Sequence, residues 1–372
     1  MGLLALLVGC TAVPGPPVPP AASQAPAGAR NPFAAAPATA HEITVTLDLT
    51  AAERMVEALS KSRFDPADLA QIKELPAVRL AIQDAAREND SFDRDFEAAF
   101  AEEAKPAVYD LRGVRDGAAK WKVLLATLAS RKDEVAAAAA KRAAALLPAD
   151  QKIVRRLDVY ATFGLAGLAD SLIAPGGDES ATMVVDLSRT LGEFAGESDD
   201  ARLSRMTRLI STESFREAWS AYREASPAWR ARDPELGAME PLLRVVAEQG
   251  PVALYTIDEA FFPLSSWLRE PGTRSLGEVN RLAERLSEGE EDLQSRVELQ
   301  AEVRKPDFAR RTAGPAGSFL ADGILQDSGI AGLRQALQGG PRQVFLAYSA
   351  AVQKDRNLIP LSPAIEKQIQ KP

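Results

Sequence analysis

From Ala77 to Leu147 the chain is dominated by Ala, Glu, Lys and Arg at helical spacing, and Lys132 to Leu147 contains five alanines in a row before Pro148. Alanine loses no side-chain entropy in a helix, and proline cannot continue one. The stretch therefore predicts a long helix that stops at Pro148. Helical patterns also return later and run to about Gln353. Mainly α is the expected class.

The middle of the chain reads differently. Glu42-Ile43-Thr44-Val45-Thr46-Leu47-Asp48-Leu49 alternates apolar and polar residues, as a half-buried strand does. Leu157 to Phe163 and Thr182 to Leu187 are two further strand candidates, joined by a Gly-rich loop through Pro175-Gly176-Gly177. That loop lacks the G-x-G-x-x-G or Walker spacing, so it is not read as a phosphate cradle. Thr50 is placed as the cap of a helix over Ala51 to Ser60, with Glu53 completing a capping box. Asp65-Pro66 opens the next helix and Leu75-Pro76 closes it. The expected architecture is mainly α (α+β), a helical domain with a small central β-sheet.

Composition removes whole classes of function. The 372 residues carry 52 acidic and 44 basic side chains, one histidine and one cysteine. Nucleic-acid binding needs a basic face against phosphate, and this chain is net acidic. Zinc fingers and disulfide frameworks need several Cys or His. Any Ser-His-Asp or Cys-His unit would have to use His41.

The N-terminus carries its own signal. Leu3 to Val8 is apolar but far too short to span a bilayer, which takes about 20 residues. It reads as the end of a signal peptide's hydrophobic region, and the missing basic n-region is expected of a start that lies further upstream. Leu7-Val8-Gly9-Cys10 is similar to the lipobox of bacterial lipoproteins, which implies acylation at Cys10. Residues 11–41 interleave Pro with Ala, Gly and Ser, too poor in apolar surface to offset ordering entropy, and form the expected tether, ending at His41. The expected organisation is 1–10 leader and lipobox, 11–41 tether, and 42–355 as one domain with a helical subdomain over 42–148. Residues 356–372 are expected to be a tail.

The segment Met206 to Trp219 is an amphipathic helix that follows a strand and a polar loop. Glu248-Gln249-Gly250-Pro251-Val252-Ala253, the Gly-rich Gly314 to Asp322 and the aromatic Phe345-Leu346-Ala347-Tyr348 come after it. In this order the features resemble a gluzincin-like group of zinc-dependent peptidases found among bacterial lipoproteins, over roughly residues 42–350. That resemblance implies a zincin-like fold, with H-E-x-x-H falling on Thr212-Glu213-Ser214-Phe215-Arg216 and the third ligand on Glu248. Only the middle glutamate of the motif is kept. Residues at i and i+4 share a helix face, which lets the motif present two imidazoles to one metal. Thr212 offers a neutral hydroxyl, and Arg216 keeps its charge in a protein and repels a cation.

The expected site is therefore vestigial: Thr212, Glu213, Arg216 and Glu248, with no catalytic residue, metal or cofactor assigned. Arg216 is expected to lie between Glu213 and Glu248, in the place of the ion. The expected function is an envelope-anchored lipoprotein, at the outer membrane or cell surface, with an inactive peptidase-like domain that binds or scaffolds. Its partners would be the membrane, through a lipid on Cys10, and a peptide or protein in the old cleft. One alternative is an active hydrolase with an unrecognised or carboxylate-only site. Another is a helical structural protein unrelated to peptidases, which predicts no strand alongside the 206–219 helix. Asp327-Ser328-Gly329 matches the aspartic-peptidase signature once, whereas that chemistry needs two carboxylates. The acidic clusters Asp258-Glu259 and Glu288 to Asp292 read as helix-surface charge beside Arg281, Arg285 and Arg296.

Overall fold

A computed structural model of the chain describes residues 41–61, 63, 65–86, 92–101, 111–164, 171–177, 179–192, 196–256, 266–288 and 293–371. The lipobox around Cys10 and the tether up to residue 40 lie outside the described residues, as do Asp258-Glu259 and residues 289–292.

Strands β1 (Glu42–Asp48), β2 (Val154–Thr162), β3 (Ser171–Pro175) and β4 (Ser180–Asp186) form one sheet in the order β1-β2-β4-β3. β2 runs parallel to both β1 and β4, and β3 is antiparallel to β4. Period-two alternation turns Leu47, Leu157, Val159, Ala161, Met183 and Val185 to the core. The opposite face carries Thr46, Asp48, Arg156 and Asp158. The fold class expected from the sequence is the one observed, mainly α with a small sheet.

Between β1 and β2 run α1 (Thr50–Leu59), α2 (Pro66–Lys73), α3 (Pro76–Ala86), α4 (Phe92–Ala101), α5 (Arg112–Asp116) and the 27-residue α6 (Ala118–Ala144). After the sheet come α7 (Asp199–Ala225), α8 (Pro227–Arg230), α9 (Glu240–Thr256), α10 (Ser266–Glu288), α11 (Leu293–Val303) and α12 (Pro306–Phe308). The chain closes with α13 (Gly314–Gln338), α14 (Pro341–Lys354) and α15 (Pro363–Ile369). α13 is bent at Gly329, whose φ of 68° lies in the left-handed region.

Five local expectations are corrected. Ser171–Pro175, not read as a strand, is β3, and the Gly-rich loop after it turns the chain into β4: the Gly176 amide donates to the Ser180 carbonyl at 2.9 Å, and the Ser180 amide donates to the Gly177 carbonyl at 3.1 Å. Asp48, rather than Thr50, serves the start of α1, its carboxylate accepting from the Thr50 amide at 2.7 Å. Residues 42–148 are no separate subdomain, because β1 pairs along its length with β2, which lies beyond Pro148. His41 is no tether residue. It is buried, and its Nδ1 accepts from the Ile153 amide at 3.3 Å. The 356–372 tail is folded as well, with Leu361, Ile365 and Ile369 buried.

Two hydrophobic cores divide the domain. One lies under the sheet and contains Leu47, Val159, Met183 and the helix residues that cover them. The other is helical, built around α9, α13 and α14. α6 and α7 run through both. Leu203, Met206 and Ile210 of α7 belong to the first core, and Phe215, Ala218, Trp219 and Tyr222 to the second. Between these sets lie four consecutive polar residues.

Candidate functional site

α7 begins at Ser198, whose side chain accepts from the Ala201 amide at 3.2 Å, a cap typically worth ~1 kcal/mol. It then carries Ser211-Thr212-Glu213-Ser214 into the junction between the cores, where all four are buried. Burying hydroxyls in a helix is tolerable when they bond back to earlier carbonyls. Ser211 donates to Arg208 and Ser214 to Ile210, each at 2.8 Å. Thr212 Oγ1 lies 2.9 Å from the Arg208 carbonyl and 3.1 Å from the Tyr255 carbonyl, which ties α7 to the last turn of α9.

Glu213 is the charged member. Its Oε2 accepts from Arg216 Nη1 at 2.6 Å, an i,i+3 pair in which the Glu213 side chain is 9% exposed and the Arg216 side chain 50%. Burial pushes the Glu213 pKa up, against the Arg216 charge that pulls it down; the nearby Glu217 also pushes it up. Desolvation wins because the guanidinium is half in water, where its field is screened.

The expected convergence on Glu248 is only half met, and the remainder is corrected. Arg216 holds Glu213, but Glu248 pairs with Arg223, whose Nη1 lies 3.0 Å from Glu248 Oε2. α7 and α9 run antiparallel: Thr212 meets Tyr255 at one end of the contact, and Trp219 Nε1 donates to the Glu248 carbonyl at 3.0 Å further along. That register puts Glu248 beside the C-terminal half of α7. Sequence reasoning missed Arg223, although its place seven residues after Arg216 puts it on the same helix face.

Aromatic stacking fixes the surrounding frame. Phe215 stacks on Tyr255 with ring centroids 4.2 Å apart, and Trp219 meets Trp229 edge-on at 4.9 Å. The buried polar tips are satisfied, with Tyr255 donating to the Arg142 carbonyl at 2.6 Å and Tyr222 to Asp150 at 2.9 Å. Tyr255 is part of the helical core, and residues 257–265, which follow it, lie outside the described residues.

The remaining motifs have packing roles. Gly250 and Gly317 mark a close crossing of α9 and α13, and Phe345 and Tyr348 are fully buried. Asp327 of the lone D-S-G sequence pairs with Lys354 at 2.9 Å. Among the described residues, no group of three or more His, Cys, Asp or Glu is arranged to hold a metal ion. α7 lies alongside the sheet, touching β2 and β1.

No protein-family model, curated protein or solved structure matches this chain.

Proposed function

We propose that the folded region is a non-hydrolytic binding or scaffolding domain, carried to a bacterial envelope by a lipid on Cys10. In this reading α7 is a peptidase-like helix whose metal site has been replaced by an ion pair. The observation that carries it is the 2.6 Å contact from Arg216 to Glu213, which sets a permanent cation where the metallopeptidase frame would put its second imidazole. Thr212, at the first imidazole position, engages two backbone carbonyls. Glu248, at the third-ligand position, is neutralised by Arg223. A zinc peptidase needs three protein ligands and an open position for water, and this donor set supplies one carboxylate to any single point. The donor set therefore favours binding over cleavage.

Two measurements on the full chain test the proposal. Metabolic labelling with a radioactive fatty acid is expected to mark the protein and to fail in Cys10→Ser; labelling that persists in the variant contradicts lipid attachment there. Incubation with fluorescent casein is expected to give no turnover above buffer. Turnover that disappears in Glu213→Gln would establish the active-hydrolase alternative.

A further inference from the structure

We propose that a polar groove on the outer face of the sheet binds a neutral, hydroxyl-rich ligand, a short stretch of glycan. The inference is independent of the α7 site. Period-two alternation puts Thr46 and Asp48 of β1 beside Arg156, Asp158 and Tyr160 of β2, on the face turned away from the core. The start of α1 and the Ala129–Lys132 turn of α6 wall this face into a groove of about 470 Å³. That volume lies within the ~300–1,000 Å³ of small-molecule sites.

The floor is pre-organised. Asp158 Oδ1 accepts from Thr46 Oγ1 at 2.6 Å and from Arg156 Nε at 2.8 Å, so the carboxylate is fixed while its Oδ2 keeps its lone pairs. Asp48 is held in the same way through the Thr50 amide. Around this floor, the Thr50 hydroxyl, the Glu53 carboxylate, the Lys132 ammonium and the Tyr160 hydroxyl line the groove and have no side-chain partner among the described residues. Donors and acceptors therefore line the same groove.

Charge selects among ligands. Asp48, Glu53 and Asp158 face Lys132 and Arg156, three carboxylates against two cations, so the groove is weakly acidic: it disfavours phosphate, and one excess carboxylate is too little to hold a polycation. A sugar hydroxyl donates and accepts at once, which suits carboxylates set beside an ammonium. The half-buried Tyr160 adds an amphipathic ring to the same wall.

The test titrates the full-length protein with chitotriose by isothermal calorimetry. Saturable binding in the millimolar range or tighter is expected, weakened about fivefold or more in Lys132→Ala and in Asp158→Asn. Val123→Ala, at an exposed position of the same helix outside the groove, should bind as the parent does. Lys132 is exposed, so its variant reports on binding without disturbing the fold, and a matching melting curve confirms this. Absence of saturation overturns the proposal. So does binding that neither Lys132→Ala nor Asp158→Asn alters, or uptake of trilysine in place of chitotriose, which would make the groove a peptide site.

Discussion

Arg223 holds Glu248 at 3.0 Å, ten residues further along α7 than Glu213. At 1.5 Å of rise per residue the two α7 positions are about 15 Å apart along the helix axis, so the carboxylates of Glu213 and Glu248 serve separate partners. A double-mutant cycle reads this directly. Arg223→Ala and Glu248→Ala are expected to couple by about 0.5–1 kcal/mol in urea unfolding, because both side chains are largely shielded. Arg216→Ala and Glu248→Ala are expected to be additive. Coupling in the second pair and none in the first would restore the single converging site.

The pair at Glu213 makes stability depend on pH. Its folded pKa lies above the usual carboxylate value, so the folded state takes up the proton more readily than the unfolded chain. The stabilisation this gives is complete below about pH 4 and is lost as pH rises through the folded pKa. Glu213→Gln has no such loss, so its stability relative to the parent should improve from about pH 4 upwards and then level off. Parallel stability curves for the two proteins would contradict a buried, proton-retaining Glu213.

His41 is the sole histidine, so its imidazole resonances can be followed by NMR without substitution. Burial lowers its pKa, outweighing the nearby Leu147 and Pro148 carbonyls that raise it, while the Arg334 charge adds to the lowering. A group depressed in the folded state contributes stability above its unfolded pKa of about 6.5 and loses it as pH falls through the folded value. The titration midpoint is expected below 6.5. A midpoint at or above that value would mean that His41 is solvated.

α9 and α13 touch backbone to backbone. A Cβ on Gly317 would lie 2.2 Å from the Val246 carbonyl oxygen, and one on Gly250 would lie 2.5 Å from the Gly317 carbonyl oxygen. Neither neighbour is a flexible side-chain end, so the helices must separate. Gly317→Ala is expected to cost about 1–3 kcal/mol, whereas Gly277→Ala in α10, with open space around its Cβ, should stabilise by up to about 1 kcal/mol. Equal effects at the two positions, read from urea midpoints, would contradict the close crossing.

What is legible in the sequence follows from the range of the forces involved. Local signals carry well: the five alanines before Pro148 belong to α6, and the alternation in Glu42 to Leu49 is β1. Partnerships do not. Nothing in residues 42–148 shows that β1 will pair with a strand beyond Pro148, because register is set by burial of Leu47 against Val159 across the sheet. The folding of residues 356–372 is hidden for the same reason, since Ile365 and Ile369 find their apolar neighbours only in the assembled helical core. At the site, the i,i+3 spacing of Glu213 and Arg216 makes their contact readable. The partner of Glu248 depends on the antiparallel register of α7 and α9, which Trp219 and Tyr255 fix through long-range bonds.

Zinc stoichiometry tests most directly the claim that an ion pair replaces the metal on α7. The full-length protein, loaded with excess zinc and then gel-filtered, is expected to retain far less than one ion per chain, in the parent and in Glu248→Gln alike. One zinc per chain in the parent, lost when Glu248 is replaced, would contradict it.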